Sequence, residues 1–404
     1  MVEVFKPARP ADVAQALAQA KGAIEVRGRG TKRALGRPVP ENLAVLDLSG
    51  LAGITLYEPE ELVLSAGAGT PIDDVRAALA EKNQELAFDP PDYSGLLGGR
   101  DAGTLGSVIA CNLSGPRRLK AGAARDHILG FAGVNGRGEI FKSGGRVMKN
   151  VTGFDLSKLI AGSYGTLAAL TEVTVKVLPR PEKIRTVLVF GLAAEAAVGV
   201  LRESLASANE VAAAAYLPKE IAQTSAVDWV ARAGASVAAL RVEGHGPSAE
   251  YRCQALRGLL DAHGATEELH TQKSDVFWRE VRDVAVFAAD PKAQVWRLSV
   301  PPADGARVAG ALAARLKGRF LLDWGGGLIW LALDPLPDAG AEIVRGLLPP
   351  DGGHATLIRA EASARARVDV FQPPPPALAE LTRRIKEGFD PDRRLNPGRM
   401  FADV

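Results

Sequence analysis

Apolar positions recur with a helical period behind Pro10, where Val13, Ala16, Leu17 and Ala20 fall at i, i+3, i+4 and i+7, so an amphipathic helix is expected near the start. Short apolar runs at 23–27, 44–48 and 62–66 predict strands around it. Thr70-Pro71-Ile72-Asp73 combines a capping hydroxyl, a proline at the first helical position and an acid in the first turn, and predicts a helix to about residue 82. From Gly95 to Gly165 glycine is dense and long periodic runs are scarce. Glycine costs backbone entropy and buries no side chain, so such a stretch makes a poor core unless something lies against its backbone. An alternating run at 170–178 predicts a strand, and Pro179 and Pro181 behind it mark a domain boundary.

The pattern then changes. Runs at 186–191, 211–217, 236–243 and 265–270 read as strands, with helical periods at 194–207 and 248–263. A second block repeats the order, with strands at 294–300, 319–324, 327–333 and 354–360 and helices at 305–316 and 339–347. Each block reads β-α-β-β-α-β, and two such ferredoxin-like halves fused side by side predict one wide antiparallel sheet. Pro373 to Pro376 forms a stiff polyproline linker, followed by a helix at 377–388 and a turn-rich tail. The expected fold class is α+β, with units at 1–181, 182–372 and 373–404, the last returning to the first.

Composition narrows the function. With 404 residues, 47% hydrophobic and 24% charged, the chain has the make-up of globular rather than fibrous or disordered protein. Its 49 basic and 47 acidic residues leave a net charge of +2, without the excess that polyanion binding needs, which argues against nucleic acid. Cys111 and Cys253 are the only cysteines, too few for the usual four-thiolate cluster or for a disulfide scaffold. The start, Met1 to Pro7, lacks the basic segment and apolar run of a secretory leader, and no stretch approaches the roughly 18 apolar residues of a membrane span. A cytoplasmic location is expected.

The sharpest local chemistry is Arg27-Gly28-Arg29-Gly30-Thr31-Lys32, directly after a strand. Two glycines one apart let successive N–H groups converge on an anion, and Thr31 with the flanking cations adds charge-assisted bonds suited to a pyrophosphate. It is not a Rossmann fingerprint, because the third glycine is missing and Pro38 and Pro40 forbid the helix which that motif needs. Standing alone, the stretch reads better as an ordinary glycine turn. It does not stand alone. Gly103-Thr104-Leu105-Gly106-Ser107-Val108-Ile109-Ala110-Cys111-Asn112 offers small residues on which a large flat ligand packs, with hydroxyl and amide groups beside them. Further on come Val147-Met148-Lys149-Asn150-Val151-Thr152-Gly153-Phe154-Asp155 and Ser163-Tyr164-Gly165-Thr166-Leu167.

In this order and spacing, these blocks resemble the vanillyl-alcohol-oxidase (PCMH) type of FAD-binding domain, and most nearly the E subunits of bacterial glycolate oxidases. Ser114-Gly115-Pro116-Arg117-Arg118, Val175-Lys176-Val177-Leu178-Pro179 and the tail Leu395-Asn396-Pro397-Gly398-Arg399-Met400-Phe401 strengthen the likeness. It covers residues 1 to about 181 and about 383 to 401, and between them it is one of architecture. The resemblance implies that Arg27 to Lys32 wrap the FAD pyrophosphate. Gly103, Thr104, Leu105, Gly106, Ser107, Ala110 and Asn112 would line the pyrophosphate, ribityl chain and isoalloxazine. Val151, Thr152, Gly153, Asp155, Gly165, Thr166 and Leu167 would hold the nucleotide end, with Asn396 also at the cofactor. Relatives with covalent flavin can carry a histidine after the Gly-x-Gly loop; Thr31 stands there, so non-covalent FAD is expected.

The implied function is that of an FAD-binding subunit in a multi-subunit glycolate oxidase or dehydrogenase, which oxidises glycolate to glyoxylate and passes electrons to an iron–sulfur partner and a quinone-type acceptor. The implied partners are that iron–sulfur subunit and a related FAD-binding catalytic subunit, with attachment to the inner membrane only through them. Two alternatives stay open: a non-catalytic FAD-binding scaffold, and an autonomous FAD-linked 2-hydroxy-acid dehydrogenase.

Self-sufficient relatives typically present His-x-Gly-Asp-Gly-Asn-x-His, which binds a metal and orients the hydroxy acid. His263 and His270 keep the outer spacing without the inner residues. Cys253, Leu256, Leu260 and His263 share one helix face with Gly264 at a C-cap position, so His263 reads as a last-turn histidine, and no metal site is expected. Asp323-Trp324-Gly325-Gly326-Gly327-Leu328-Ile329-Trp330 resembles the Trp-x-Gly-Gly element of the E subunits. Either its tryptophans cover the flavin or a docking face, or a hairpin packs them in the sheet. Arg117, Arg118, Lys120 and Arg125 cluster beside the glycine-rich region. The FAD diphosphate, a small carboxylate and an acidic partner are their candidate ligands, and solvated surface charge is the reading for at least two of them. No catalytic residue is assigned.

Overall fold

The computed structural model describes residues 2–146, 153–350 and 352–404. A three-stranded and a five-stranded sheet build most of its first part. Val4–Phe5, Ala44–Asp47 and Ile24–Arg27 pair in parallel in that order. The expected helix, Pro10–Gln19, packs Val13, Ala16 and Leu17 on Ile24 and Leu46. Ile54–Glu58, Val63–Gly67, Ala168–Lys176, Ile128–Asn135 and Ile140–Gly144 follow one another across an antiparallel sheet.

The expected helix after Thr70 spans Ile72–Ala80, but Pro71 rather than Thr70 stands at its N-cap. The Thr70 hydroxyl donates instead to the Gly67 carbonyl (2.6 Å) and accepts from Gly53 N–H (2.9 Å). A tertiary partner outbids the local cap, because Thr70 is buried in the turn that leaves the Val63–Gly67 strand.

Beyond residue 182 lies an antiparallel sheet of eight strands. Across it run Thr266–Leu269, Lys183–Phe190, Val237–Gly244, Ala213–Leu217, Arg319–Asp323, Leu328–Leu333, Gln294–Ser299 and His354–Arg359. Each β-α-β-β-α-β half contributes four neighbouring strands, and the halves meet edge to edge through Tyr216 and Leu322. One face carries Val187, Leu240, Leu298 and Leu331 into a core shared with helices Ala194–Ala206, Gly246–Leu260 and Gly305–Leu316. The other carries Leu188, Ala239, Val295 and Trp330 into a core shared with Leu105, Val108 and Phe131 of the first part. Burial of both faces explains near-continuous apolar runs such as Leu328–Leu333, every residue of which is buried.

The hydrophobic pattern predicts nothing between 270 and 294, yet helix Thr271–Asp283 lies there. Its inward stripe is Ser274, Phe277, Trp278 and Val281. The polar member is matched across the interface: Ser274 and Thr186 share a hydroxyl hydrogen bond (2.6 Å), and Trp278 Nε1 donates to the same Thr186 oxygen (2.8 Å). Helix Gly246–Leu260 ends before His263, and Gly264 is not its C-cap. A Cβ on Gly264 would lie 2.8 Å from the Phe190 carbonyl oxygen, so its glycine serves the close approach of a turn to a strand.

After helix Pro376–Phe389 the tail returns to the first part. Leu395 bridges Ile24 at the edge of the small parallel sheet. Buried Asp390 accepts from Lys386 Nζ (2.7 Å), Arg394 N–H (2.9 Å) and Leu395 N–H (2.8 Å), while Lys386 also donates to the Thr166 carbonyl (2.7 Å). Burial pushes the Lys386 ammonium below its ordinary pKa, and Asp390 pulls it back up. The pair is retained because each partner is fully hydrogen-bonded.

Candidate cofactor-binding site

Strand Ile24–Arg27 delivers the chain into the Arg27–Lys32 loop, which forms one wall of a cavity. Thr104, Gly106, Ser107 and Ala110 form the wall opposite, with Tyr164 and Gly165 at one side and Asn396 and Arg399 from the tail at another. Thr104 caps helix Leu105–Ala110, accepting from Ser107 N–H (3.3 Å), while Thr104 N–H donates to Ser107 Oγ (3.1 Å).

The two glycine-bearing walls lock into each other. A Cβ on Gly28 would lie 2.8 Å from Thr104 Oγ1, and one on Gly103, whose φ is +89°, would lie 2.5 Å from Thr31 Oγ1. What lies against these glycines is protein. At Gly30 the nearest atoms to an added Cβ are 3.9 Å away, so here the loop backbone is open to the cavity.

Charge is fixed around the loop by neighbours. Arg29 pairs with Asp101 (3.0 Å) and Arg33 with Glu25 (2.6 Å). Lys32 is buried and donates to the Ala102 carbonyl (3.1 Å); burial pushes its pKa down. The tail holds the loop from behind. Asn396 accepts from Val26 N–H (2.7 Å) and donates to the carbonyls of Val26 (3.3 Å) and Tyr164 (2.9 Å). Arg399 donates to the carbonyls of Lys32 (2.7 Å) and Arg37 (3.1 Å).

The cavity thus gathers Arg27, Gly28, Arg29, Gly30, Thr31, Lys32, Thr104, Gly106, Ser107, Ala110, Gly165 and Asn396. Other expected site residues stand elsewhere. Gly103 supports the loop through Thr31, Leu105 and Leu167 belong to the core, and Thr166 donates its hydroxyl to the Ser163 carbonyl (2.7 Å). Asn112 accepts from Arg125 N–H (3.0 Å), and Asp155, following Gly153, caps helix Leu156–Ile160 (3.2 Å to Lys158 N). Val151 and Thr152 lie outside the described residues. Cys111, Tyr164 and Arg399 also line the cavity, and each sits inside one of the motifs, Gly103–Asn112, Ser163–Leu167 and Leu395–Phe401. Burial pushes the Cys111 thiol up to about 11, which leaves it protonated and weakly nucleophilic at neutral pH.

His263 and His270 are exposed, and no group of His, Cys, Asp or Glu among the described residues is arranged to hold a metal ion. Both tryptophans of the Asp323–Trp330 element are buried on the sheet face toward the first part. Trp324 Nε1 donates to the Gly115 carbonyl (3.2 Å), and Trp330 meets the edge of Tyr93 at 5.9 Å. Of the four clustered cations, Arg117 is buried between Glu85 and Glu243, Lys120 pairs with Glu210 on the surface, Arg125 is exposed, and Arg118 lies over Trp324.

One side of the cavity is thus cationic and hydroxyl-bearing, and the rest is small and apolar, with Val39, Leu48, Ala68, Ala168 and Leu170. Cationic and hydroxyl donors beside an apolar lining suit a ligand with an anionic part and flat apolar parts. A family model described as an FAD binding domain matches residues 3–144. The chain is 34% identical over 389 residues to glycolate oxidase subunit GlcE of Escherichia coli (strain K12), covering 95% of this chain and 94% of that one. The chain belongs to the glycolate oxidase E-subunit family.

As a member of that FAD-binding oxidoreductase family it takes FAD as cofactor, and the cavity offers the residues to hold it. It is also 33% identical over 184 residues, 46% of this chain and 38% of the other, to glycolate oxidase subunit GlcD of Bacillus subtilis (strain 168). Among solved structures, an alkyldihydroxyacetonephosphate synthase superposes with a TM-score of 0.69 at 16% identity, over 98% of this chain and 75% of that chain. That likeness concerns the fold, and it agrees with the α+β architecture expected of the family.

Proposed function

We propose that this chain is the FAD-holding E-type subunit of a multi-subunit enzyme that oxidises glycolate to glyoxylate and sends the electrons to an iron–sulfur partner and then to a quinone-type acceptor. The observation that carries this reading is the near full-length similarity to the Escherichia coli subunit, combined with a cavity whose walls come from the same motifs. Bound FAD supplies a two-electron acceptor that can release electrons singly.

The chain's own residues prepare the place. The open backbone at Gly30, with Arg27, Arg29, Thr31 and Lys32 around it, would neutralise and orient the diphosphate. Ala68, Ala110, Ala168 and Leu170 would pack on flat rings, and the partly buried Tyr164 would limit the access of water to them. Cys111 lines the cavity while Cys253 is buried in helix Gly246–Leu260, so the two thiols are not placed to share a cluster. A related D-type subunit and an iron–sulfur subunit are therefore the partners assigned. No described helix is long and apolar enough to cross a membrane, and membrane attachment through those partners is part of the proposal.

The exposed His263 and His270 favour a second reading, in which the chain binds FAD as a scaffold and turns nothing over. An anaerobic visible spectrum of the purified chain, before and after glycolate, separates them. Bleaching of the flavin bands by glycolate alone shows a complete oxidising site. Bands that bleach only after partner subunits are added assign the first chemistry to the complex. A purified complex with no flavin on this chain refutes both readings.

A further inference from the structure

Two arginines from distant parts of the chain converge on one tryptophan. Arg118, in helix Arg118–Ala121 of the first part, holds its guanidinium carbon 4.6 Å from the centre of the Trp324 ring. Arg297, in strand Gln294–Ser299, holds its own 5.0 Å from the same centre. Trp324 is a fixed platform, with its indole N–H on the Gly115 carbonyl (3.2 Å) and a backbone φ of +53°, which a bulky residue adopts only under tertiary constraint.

Neither guanidinium meets a carboxylate among the described residues, whereas Arg117, beside Arg118, is wedged between two. Asp323, the acid on this edge, turns to the Trp324 N–H (2.7 Å). Like charges brought together repel, and the effect is visible on Arg118 and on His354. Desolvation first, and then the charge of Arg297, lowers the pKa of Arg118. Desolvation and then Arg297 and Arg118 push the imidazole of His354 below its ordinary range. His354 pairs with Ser299 and Thr356 with Arg297, so these four stand on the same sheet face. The cost of this cationic group falls when an anion joins it.

Its position links it to the cofactor cavity. Tyr164 lines that cavity, and its phenol, raised by burial, feels both Arg399 of the cavity and Arg297 of the sheet. The geometry points to Arg118 and Arg297 as the binding site for the carboxylate of a small hydroxy acid, formed between the two main parts of the chain. Guanidinium groups suit this ligand because their N–H pairs match carboxylate oxygens, and the indole face supports the cations without competing for the anion. Only the choice of glycolate as the acid rests on the proposed function; the anion site itself rests on the charge arrangement.

The test is calorimetric titration of the FAD-loaded full chain with glycolate and with glycolamide, its uncharged amide counterpart. Glycolate is expected to bind saturably and glycolamide at least about tenfold more weakly, the loss of one charge-assisted contact. Arg297→Gln and Arg118→Gln should each weaken glycolate by about tenfold or more, with Arg297→Lys intermediate. No saturable glycolate binding, equal binding of glycolamide, or unchanged binding in both glutamine variants overturns the site. The comparison of the two ligands on the wild-type chain needs no variant to fold. Glycolate that binds through these arginines but never bleaches the flavin, with or without partners, sinks the proposed function and leaves the anion site standing. Bleaching with unchanged glycolate dependence in both variants does the reverse.

Discussion

Asn396 lies 370 residues from Val26 in sequence, yet its side chain closes the strand that feeds the phosphate-binding loop. It is 5% exposed, with its carboxamide oxygen on Val26 N–H and its amide on two carbonyls. Asn396→Ala strands one buried donor and weakens two acceptors, at about 1–3 kcal/mol for each group left without a partner. The φ of +43° adds to this, because asparagine tolerates that region better than alanine. The expected loss is roughly 3–5 kcal/mol, reduced wherever water reaches a freed carbonyl. Asn396→Asp is the sharper probe. It preserves shape and the acceptor for Val26 N–H but sets a carboxylate oxygen against the Val26 and Tyr164 carbonyls, so it should destabilise at least as much as alanine. Urea unfolding followed by tryptophan fluorescence reads the stability, and the rise of free-flavin fluorescence on dilution reads FAD release. Both variants should release FAD faster. An Asn396→Asp protein with wild-type stability and FAD retention refutes the role given to the amide donors.

Two further outcomes follow from the geometry. Gly103→Ala places a methyl group 2.5 Å from Thr31 Oγ1 at a φ of +89°, so the variant should fold with its loop displaced and purify with markedly less flavin, measured by the ratio of visible to ultraviolet absorbance. Asp323 is buried, which raises its carboxyl pKa from 3.8 to about 7. Between those values the folded chain keeps a proton that the unfolded chain has released, so this residue's contribution to stability falls as pH rises through that window and is level above it. Asp323→Asn, which retains the acceptor for Trp324 N–H, should gain on the wild type by about 2–4 kcal/mol between pH 5 and 8 in denaturant titrations; a constant difference across that range contradicts the assignment.

Local signals carried most of the elements. The period behind Pro10, the paired β-α-β-β-α-β blocks and the run after the polyproline stretch appear close to where their residues predict them, because helix and strand periodicity act over a few residues. The Arg27–Lys32 loop and its partners at 104–110 were legible as a set for the same reason: the motif residues needed at one wall are contiguous. Helix Thr271–Asp283 stayed hidden since Ser274 interrupts its apolar stripe, and only the Thr186 hydroxyl across the interface makes that serine a core residue. The capping role that the sequence predicts for Thr70 fails because Gly53 and Gly67, not its own helix, engage its hydroxyl.

The sequence by itself therefore determined most of the elements, their order, and the glycine-rich motifs that mark a nucleotide-sized ligand. Tertiary structure alone decided what each glycine makes room for, which arginines lose their carboxylates to neighbours, and which two converge on Trp324. Backbone conformation follows from sterics within a few residues, whereas charge balance and close packing depend on atoms that only folding brings together.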